Sequence, residues 1–216
     1  SNTENSISKD SYPNGGNKII QTDIKKNSSN IDFNISASSA ATTYSYFAGD
    51  GIFRLDNTYS YTDNFVISRQ KTDGSYNAIH ALDDEFVVAV GNDIISYTTQ
   101  GGELDDDGIS TWYDISLSDV THLGNGTALN LNDVFVKDKD KIIAVGDNGI
   151  LLYVSYSSDS PSAPIADKWK IIPDTILNTN GMANRLNSSE NKLVTVDMTD
   201  DDTFIISSVI TQNQFL

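Results

Sequence analysis

The chain has no cysteine. That excludes a disulfide framework, a thiolate zinc site and a thiol nucleophile. It has only two histidines, three arginines, four prolines and two methionines. No apolar run approaches the roughly 18 residues that a membrane-spanning helix needs, so no such span is expected. Basic residues are few: 14 Lys and Arg stand against 30 Asp and Glu, for a net charge of −16. Nucleic-acid binding draws on clustered Lys and Arg against phosphates. The one basic pair, Lys25-Lys26, lies in a polar stretch, so nucleic acid is not an expected partner. The chain opens Ser-Asn-Thr-Glu-Asn, without an initiator Met or an apolar leader core. A processed form or a piece of a longer chain is expected.

What is present is polar, uncharged and rich in Asn, Ser, Thr and Asp. These side chains bond to nearby backbone and favour turns over helix interiors. Residues 1–30 are almost wholly polar around Pro13-Asn14-Gly15-Gly16 and read as an arm or linker. Residues 31–216 read as the folded domain. Ile31-Asp32-Phe33-Asn34-Ile35 alternates with the two-residue period of a half-buried strand. Short β-branched and aromatic runs follow, each closed by Gly, Asn or Asp. The clearest are Phe86 to Val90, Ile142 to Val145, Ile150 to Tyr153, Leu193 to Val196 and Phe204 to Ile206. Thr179 to Leu186 is the one helical candidate.

Two of these segments are copies of one another. Residues 86–97, Phe-Val-Val-Ala-Val-Gly-Asn-Asp-Ile-Ile-Ser-Tyr, match residues 142–153, Ile-Ile-Ala-Val-Gly-Asp-Asn-Gly-Ile-Leu-Leu-Tyr. Residues 46–55 read as an earlier copy, and residues 193–206 as a later one with a longer turn. Gly49, Gly91 and Gly146 mark the turns, where Gly, Asn or Asp would supply a positive φ. A further strand precedes the second and third copies, at Ala78–Leu82 and Leu131–Val136. A tryptophan, Trp112 or Trp169, opens a short strand after each. The unit is therefore four strands. The glycines stand 42 and 55 residues apart, against about 40–50 residues for a propeller blade.

Ala-Val-Gly-Asp-Asn-Gly-Ile-Leu-Leu-Tyr at 144–153 resembles the repeat of the photosystem II assembly factor-like (Ycf48-like) proteins, within the wider BNR, or Asp-box, propellers. Asp106-Asp107-Gly108-Ile109-Ser110-Thr111-Trp112 is similar to an Asp-box with one extra residue. Ser157-Ser158-Asp159-Ser160-Pro161 is similar to its first half, with Pro at the Gly position. The chain is thus read as a degenerate member of these repeats. The resemblance implies an all-β fold of β-propeller-like, antiparallel four-stranded blades with a polar N-terminal arm. Three or four blades are few for a closed ring. The ring is then partial, completed by divergent blades or further chain, or completed by oligomerisation; a small sheet sandwich is the alternative.

Asp-box propellers include sialidases, whose plan implies an arginine clamp, here Arg54, Arg69 and Arg185. Phe53-Arg54-Leu55-Asp56 is similar to the sialidase Phe-Arg-Ile-Pro signature without its Pro. Three scattered surface arginines, with Arg54 near a strand end, are the plainer reading. His80, in an expected strand, and His122, in a loop, lie in no nucleophile or metal-pair motif. No catalytic or cofactor-binding residue is assigned. The metal candidates are Asp105, Asp106, Asp107, Asp200, Asp201 and Asp202, whose oxygens suit calcium; solvated turn charges are the plainer reading. The expected function is a non-enzymatic structural or interaction module, a component of a larger assembly such as a phage virion tail, fibre or capsid-associated protein. A Ycf48-like assembly or adaptor factor is the first alternative, and a carbohydrate-binding or sialidase-like propeller the second. Protein partners are expected, with a homo-oligomer and a saccharide left open. A virion, extracellular or surface location is favoured.

Overall fold

The computed structural model describes residues 35–56, 67–103, 111–118, 129–147, 151–155, 169–171, 191–199 and 203–210. The named elements there are all strands: β1 (Ile35–Ala40), β2 (Tyr44–Gly49), β3 (Gly51–Asp56), β4 (Ile67–Lys71), β5 (Tyr76–Ala81), β6 (Val87–Gly91), β7 (Ile94–Thr98), β8 (Trp112–Ser116), β9 (Leu131–Asp138), β10 (Lys141–Gly146), β11 (Leu151–Ser155), β12 (Trp169–Ile171), β13 (Asn191–Met198) and β14 (Phe204–Ile210). They form three four-stranded sheets and one hairpin, β13-β14. Within every sheet, strands pair antiparallel in chain order. The protein is all-β, a row of propeller-type blades.

Consecutive blades stack face to face, which explains the continuous apolar runs. On β6, Val87 and Ala89 pack with Tyr46, Ala48 and Ile52 of the first blade. Val88 and Val90 pack with Leu131, Val134 and Ile142 of the third. On β10, Ile142 and Ala144 face the second blade, while Ile143 and Val145 face Leu193, Val196 and Met198 of the hairpin. A middle strand covered on both sides has no solvent face, so its sequence does not alternate. Both tryptophans face backwards: Trp112 packs on the first blade and Trp169, fully buried, on the second.

The first strands, β1, β5, β9 and β13, lie side by side, and each has the same irregularity. Pairing skips Ser36 in β1, Asn77 in β5, Asn132 in β9 and Val194 in β13. Ile35, Tyr76, Leu131 and Leu193 are therefore equivalent, and so are their partners Gly49, Gly91, Gly146 and Ser208. The repeated β-bulge puts the four units in one register.

Two expectations change. Gly91 and Gly146 are not among the positive-φ residues; Asp93 (φ 60) and Gly51 (φ 112) are. The two glycines are required by close approach instead. A Cβ at Gly91 would collide with the Ser75 carbonyl oxygen, and one at Gly146 with that of Asn130. Residues 193–206 hold the first and second strands of a unit, not the second and third. Asp197 and Met198 lie inside β13, and the turn is closed by Thr199 N–H donating to the Thr203 carbonyl at 2.9 Å. The counterpart is the second blade's first turn, where Leu82 N–H donates to the Phe86 carbonyl at 3.0 Å. The first described strand is the polar run Ile35–Ala40; the alternation at 31–35 lies, but for Ile35, outside the described residues. Residues 1–34 and the helical candidate at 179–186 lie outside the described residues.

Candidate functional site

Among the described residues, several polar side chains at the ends of the blades bond across the junctions between blades. Three settings contain the titratable groups that a site would need.

The first lies between β4 and the second blade. Tyr76 Oη is 2.7 Å from Ser96 Oγ, and Ser96 Oγ donates to Asp114 Oδ1 at 2.5 Å. Lys71 Nζ donates to Asp114 Oδ2 at 2.7 Å and lies 3.2 Å from Asp73 Oδ1. Burial alone would push the Lys71 ammonium down, but Asp114 and Asp73 hold it above its ordinary value. Burial also pushes the Tyr76 phenol up. A Tyr-Ser-Asp-Lys chain has the composition of a proton relay, yet Ser96 is fully buried. Its hydroxyl meets no groove, and the network ties the first blade to the second.

The second is His80 on β5. Its Nδ1 accepts the Val136 N–H at 2.7 Å, and its ring lies 4.7 Å from that of Phe135. Burial pushes the imidazole below its ordinary value, against a smaller upward pull from Asp197. The Nδ1 lone pair is used, so the ring is a neutral acceptor at the second junction.

The third is a groove at the mouth of the first junction. It encloses about 420 Å³ and is lined by Tyr44, Asp84, Glu85, Thr99, Gln100 and Glu103. Asp84 builds its floor by reaching back one blade, where Oδ1 accepts the N–H groups of Thr43 (2.7 Å) and Tyr44 (3.1 Å). Burial raises the Asp84 carboxyl, and the bonds from Thr43 and the neighbouring backbone outweigh it, leaving the group below its ordinary value. Tyr46 Oη donates to the carbonyls of Asp84 (2.9 Å) and Gly101 (3.3 Å). Burial lifts its phenol to about 12, with Arg54 pulling the other way. The Arg54 guanidinium lies 4.2 Å from the Tyr44 ring centre, donates to the Gly101 carbonyl at 2.9 Å and sits 3.9 Å from Glu103. One ring of the lining, Tyr44, thus already carries a cation over its face. The rim is acidic, with Glu103 and Glu85 both exposed and Glu85 3.9 Å from Lys139. The charge of such a rim favours cations over anions.

The sequence-derived candidates distribute as follows. Asp105, Asp106, Asp107, Asp200, Asp201 and Asp202 lie outside the described residues, as do His122, Arg185 and most of both Asp-box segments. Among the described residues, no group of three His, Asp or Glu side chains could hold a metal. Arg54 is engaged by Tyr44, Gly101 and Glu103; Arg69 lies on β4 paired with Phe53. Gly49, Gly91 and Gly146 pair with Ile35, Tyr76 and Leu131 of the first strands, and Trp112 and Trp169 are buried in the cores between blades. Asp84 is the residue that sequence reasoning missed. It stands in Asp83-Asp84-Glu85, which reads as a turn, and its partners are about 40 residues earlier.

No family model matches the chain, and no curated protein matches it. Two solved structures are similar at low identity. A hemopexin-fold protein, CP4 from cow pea, shares 12% identity over 82% of this chain and 92% of its own, with a TM-score of 0.36. YCF48 bound to a D1 peptide shares 12% identity over 82% of this chain, with a TM-score of 0.34. The chain covers 61% of that YCF48 chain. At these TM-scores the blade architecture rests on strand order, register and stacking in the chain itself.

Proposed function

We propose that this chain is a non-enzymatic structural and interaction module, a component of a larger assembly such as a phage virion. One observation carries the reading: among the described residues, several polar side chains that a catalytic site would draw on are engaged in joining blades. His80 holds Val136 N–H, Asp84 holds Thr43 and Tyr44 N–H, Asp133 Oδ2 holds Val196 N–H at 2.9 Å, and Asp114 holds Lys71. A protein that uses its titratable groups this way is built to keep its shape and present surfaces. The strongly acidic composition, −16 over 216 residues, supports a solvated surface and basic partners.

An assembly or adaptor role is the second reading, favoured by the acid-rimmed groove with Tyr44. There a basic segment of a partner would meet Glu85 and Glu103. Native mass spectrometry of material purified from its source tests both readings. The first predicts a large symmetric particle, and the second a stoichiometric complex with one other protein. A 23.5 kDa monomer that turns over a saccharide would overturn both.

A further inference from the structure

The two junctions flanking the second blade are fastened in the same way by different chemistry. Ser39 in β1 and His80 in β5 are register equivalents, each four residues past the first paired residue. Ala81 and Val136 are equivalents one residue further on. Ala81 N–H donates to Ser39 Oγ at 2.9 Å, and Val136 N–H donates to His80 Nδ1 at 2.7 Å. A first strand has an open edge, so its outward N–H groups need partners from elsewhere. The preceding blade supplies them: a hydroxyl at one junction, an imidazole at the next.

A hydroxyl accepts at any physiological pH, whereas an imidazole accepts only while neutral. We propose that the second junction is a proton-operated latch, in which protonation of His80 at Nδ1 releases the Val136 N–H and loosens the third blade from the second. The proton comes from solvent. It occupies the lone pair that held the hydrogen bond, so two N–H groups then face each other in a partly buried site against the Phe135 ring.

The surroundings offer little to stabilise the imidazolium. β1 and β6 carry no ionisable side chain. On β9, the Asp133 carboxylate is occupied by the N–H groups of Val134 and Val196, Lys137 Nζ donates to the Thr199 carbonyl at 2.9 Å, and Asp138 bonds Lys139 N–H. On β13, Lys192 lies 3.4 Å from Asp147. Asp197 is the carboxylate that acts on His80, and its Oδ1 already accepts Met198 N–H at 2.7 Å. The signs agree: burial favours neutral His80 in the folded state, so the folded chain binds this proton less readily than the unfolded one. The junction is fully fastened above about pH 6.5 and loosens as pH falls below it.

Residue-resolved amide exchange on the whole chain between pH 7.5 and 5.5 tests this, with intrinsic rates divided out. Val136 is expected to lose protection, by up to about tenfold per pH unit while the unfolded imidazole alone is protonated, and Ala81 to stay level. Equal change at both amides, or no change at Val136, overturns the latch. His80→Asn keeps an acceptor and removes the titration, so its Val136 protection is expected to be flat with pH; a wild-type response in H80N overturns the latch. If H80N does not fold, titration of the His80 ring by NMR in the unaltered protein decides. A midpoint at or above that of an unfolded histidine contradicts the proposal, and one clearly below it supports it.

Discussion

Asn132 does for the hairpin what Asn77 does for the third blade. Asn77 Nδ2 donates to the Leu131 carbonyl at 2.7 Å, and Asn132 Nδ2 donates to the Leu193 carbonyl at 2.8 Å. Both are the bulged residue of a first strand, and both acceptors, Leu131 and Leu193, are the residue paired just before the bulge of the next unit. Each amide also ties in a neighbouring side chain: Asn77 bonds Asn130 Oδ1 at 2.9 Å, and Asn132 bonds Asp147 Oδ1 at 2.9 Å. In β13 the bulged residue is Val194, which has no amide to offer.

Asn77→Ala and Asn132→Ala each remove two such bonds. Each variant is expected to lose about 1–2 kcal/mol in chemical denaturation. The loss is local in its first effect. N132A speeds amide exchange in β13 and β14 before it does so in the second blade. Equal loosening of all blades, or a cost indistinguishable from zero, contradicts the assigned role.

Gly91→Ala and Gly146→Ala place a methyl group against the carbonyls of Ser75 and Asn130. Each is expected to destabilise by about 2–3 kcal/mol, because a backbone carbonyl has no rotamer by which to move aside. Ser208 occupies the same register position in the hairpin and already carries a Cβ, so Ser208→Ala is expected to change stability by less than about 0.5 kcal/mol. Thermal melts of the three variants side by side check the contrast.

Acid acts on a second set of groups. For Asp147, burial raises the carboxyl, and bonds from Asn132, Asn130 and Lys192 outweigh it, so the group ends below its ordinary value of 3.8. Asp84 behaves alike. A depressed folded pKa means that the unfolded chain takes up these protons first. Their stabilisation is complete above about pH 3.8 and is lost as pH falls through the folded values. Stability against pH is therefore expected to fall in two stages, the His80 stage near and below 6.5 and a carboxylate stage below 3.8. Asp84→Asn is expected to shrink the lower stage and leave the upper one unchanged in an acid titration followed by tryptophan fluorescence.

The blade core was legible in the sequence because middle strands are buried on both faces. Val87 to Val90 and Ile142 to Val145 have no solvent side, so they appear as short apolar runs ending in an obligatory glycine. Trp112 and Trp169 mark the fourth strands for a related reason, each filling the space toward the preceding blade. The first strand was not legible. Ser36, Ser38 and Ser39 make β1 a polar edge strand, with the Ser39 hydroxyl bonding across a junction, and such a strand carries no apolar signature. The hairpin was misregistered because Thr199 to Thr203 resembles the Gly-Asn-Asp turn in composition, and only pairing shows that it corresponds to Leu82 to Phe86. The groove was invisible because Asp84 and Tyr44 meet only when two blades stack.

The measurement closest to the central claim is residue-resolved amide exchange of Ala81, Val136 and Val196 at neutral pH. All three N–H groups are held by side chains of the preceding blade, Ser39, His80 and Asp133. A row of stacked blades predicts that all three exchange orders of magnitude more slowly than an unstructured chain. Exchange at unstructured rates, with β6 and β10 still protected, would mean that the sheets form without stacking in this register, and would contradict the account.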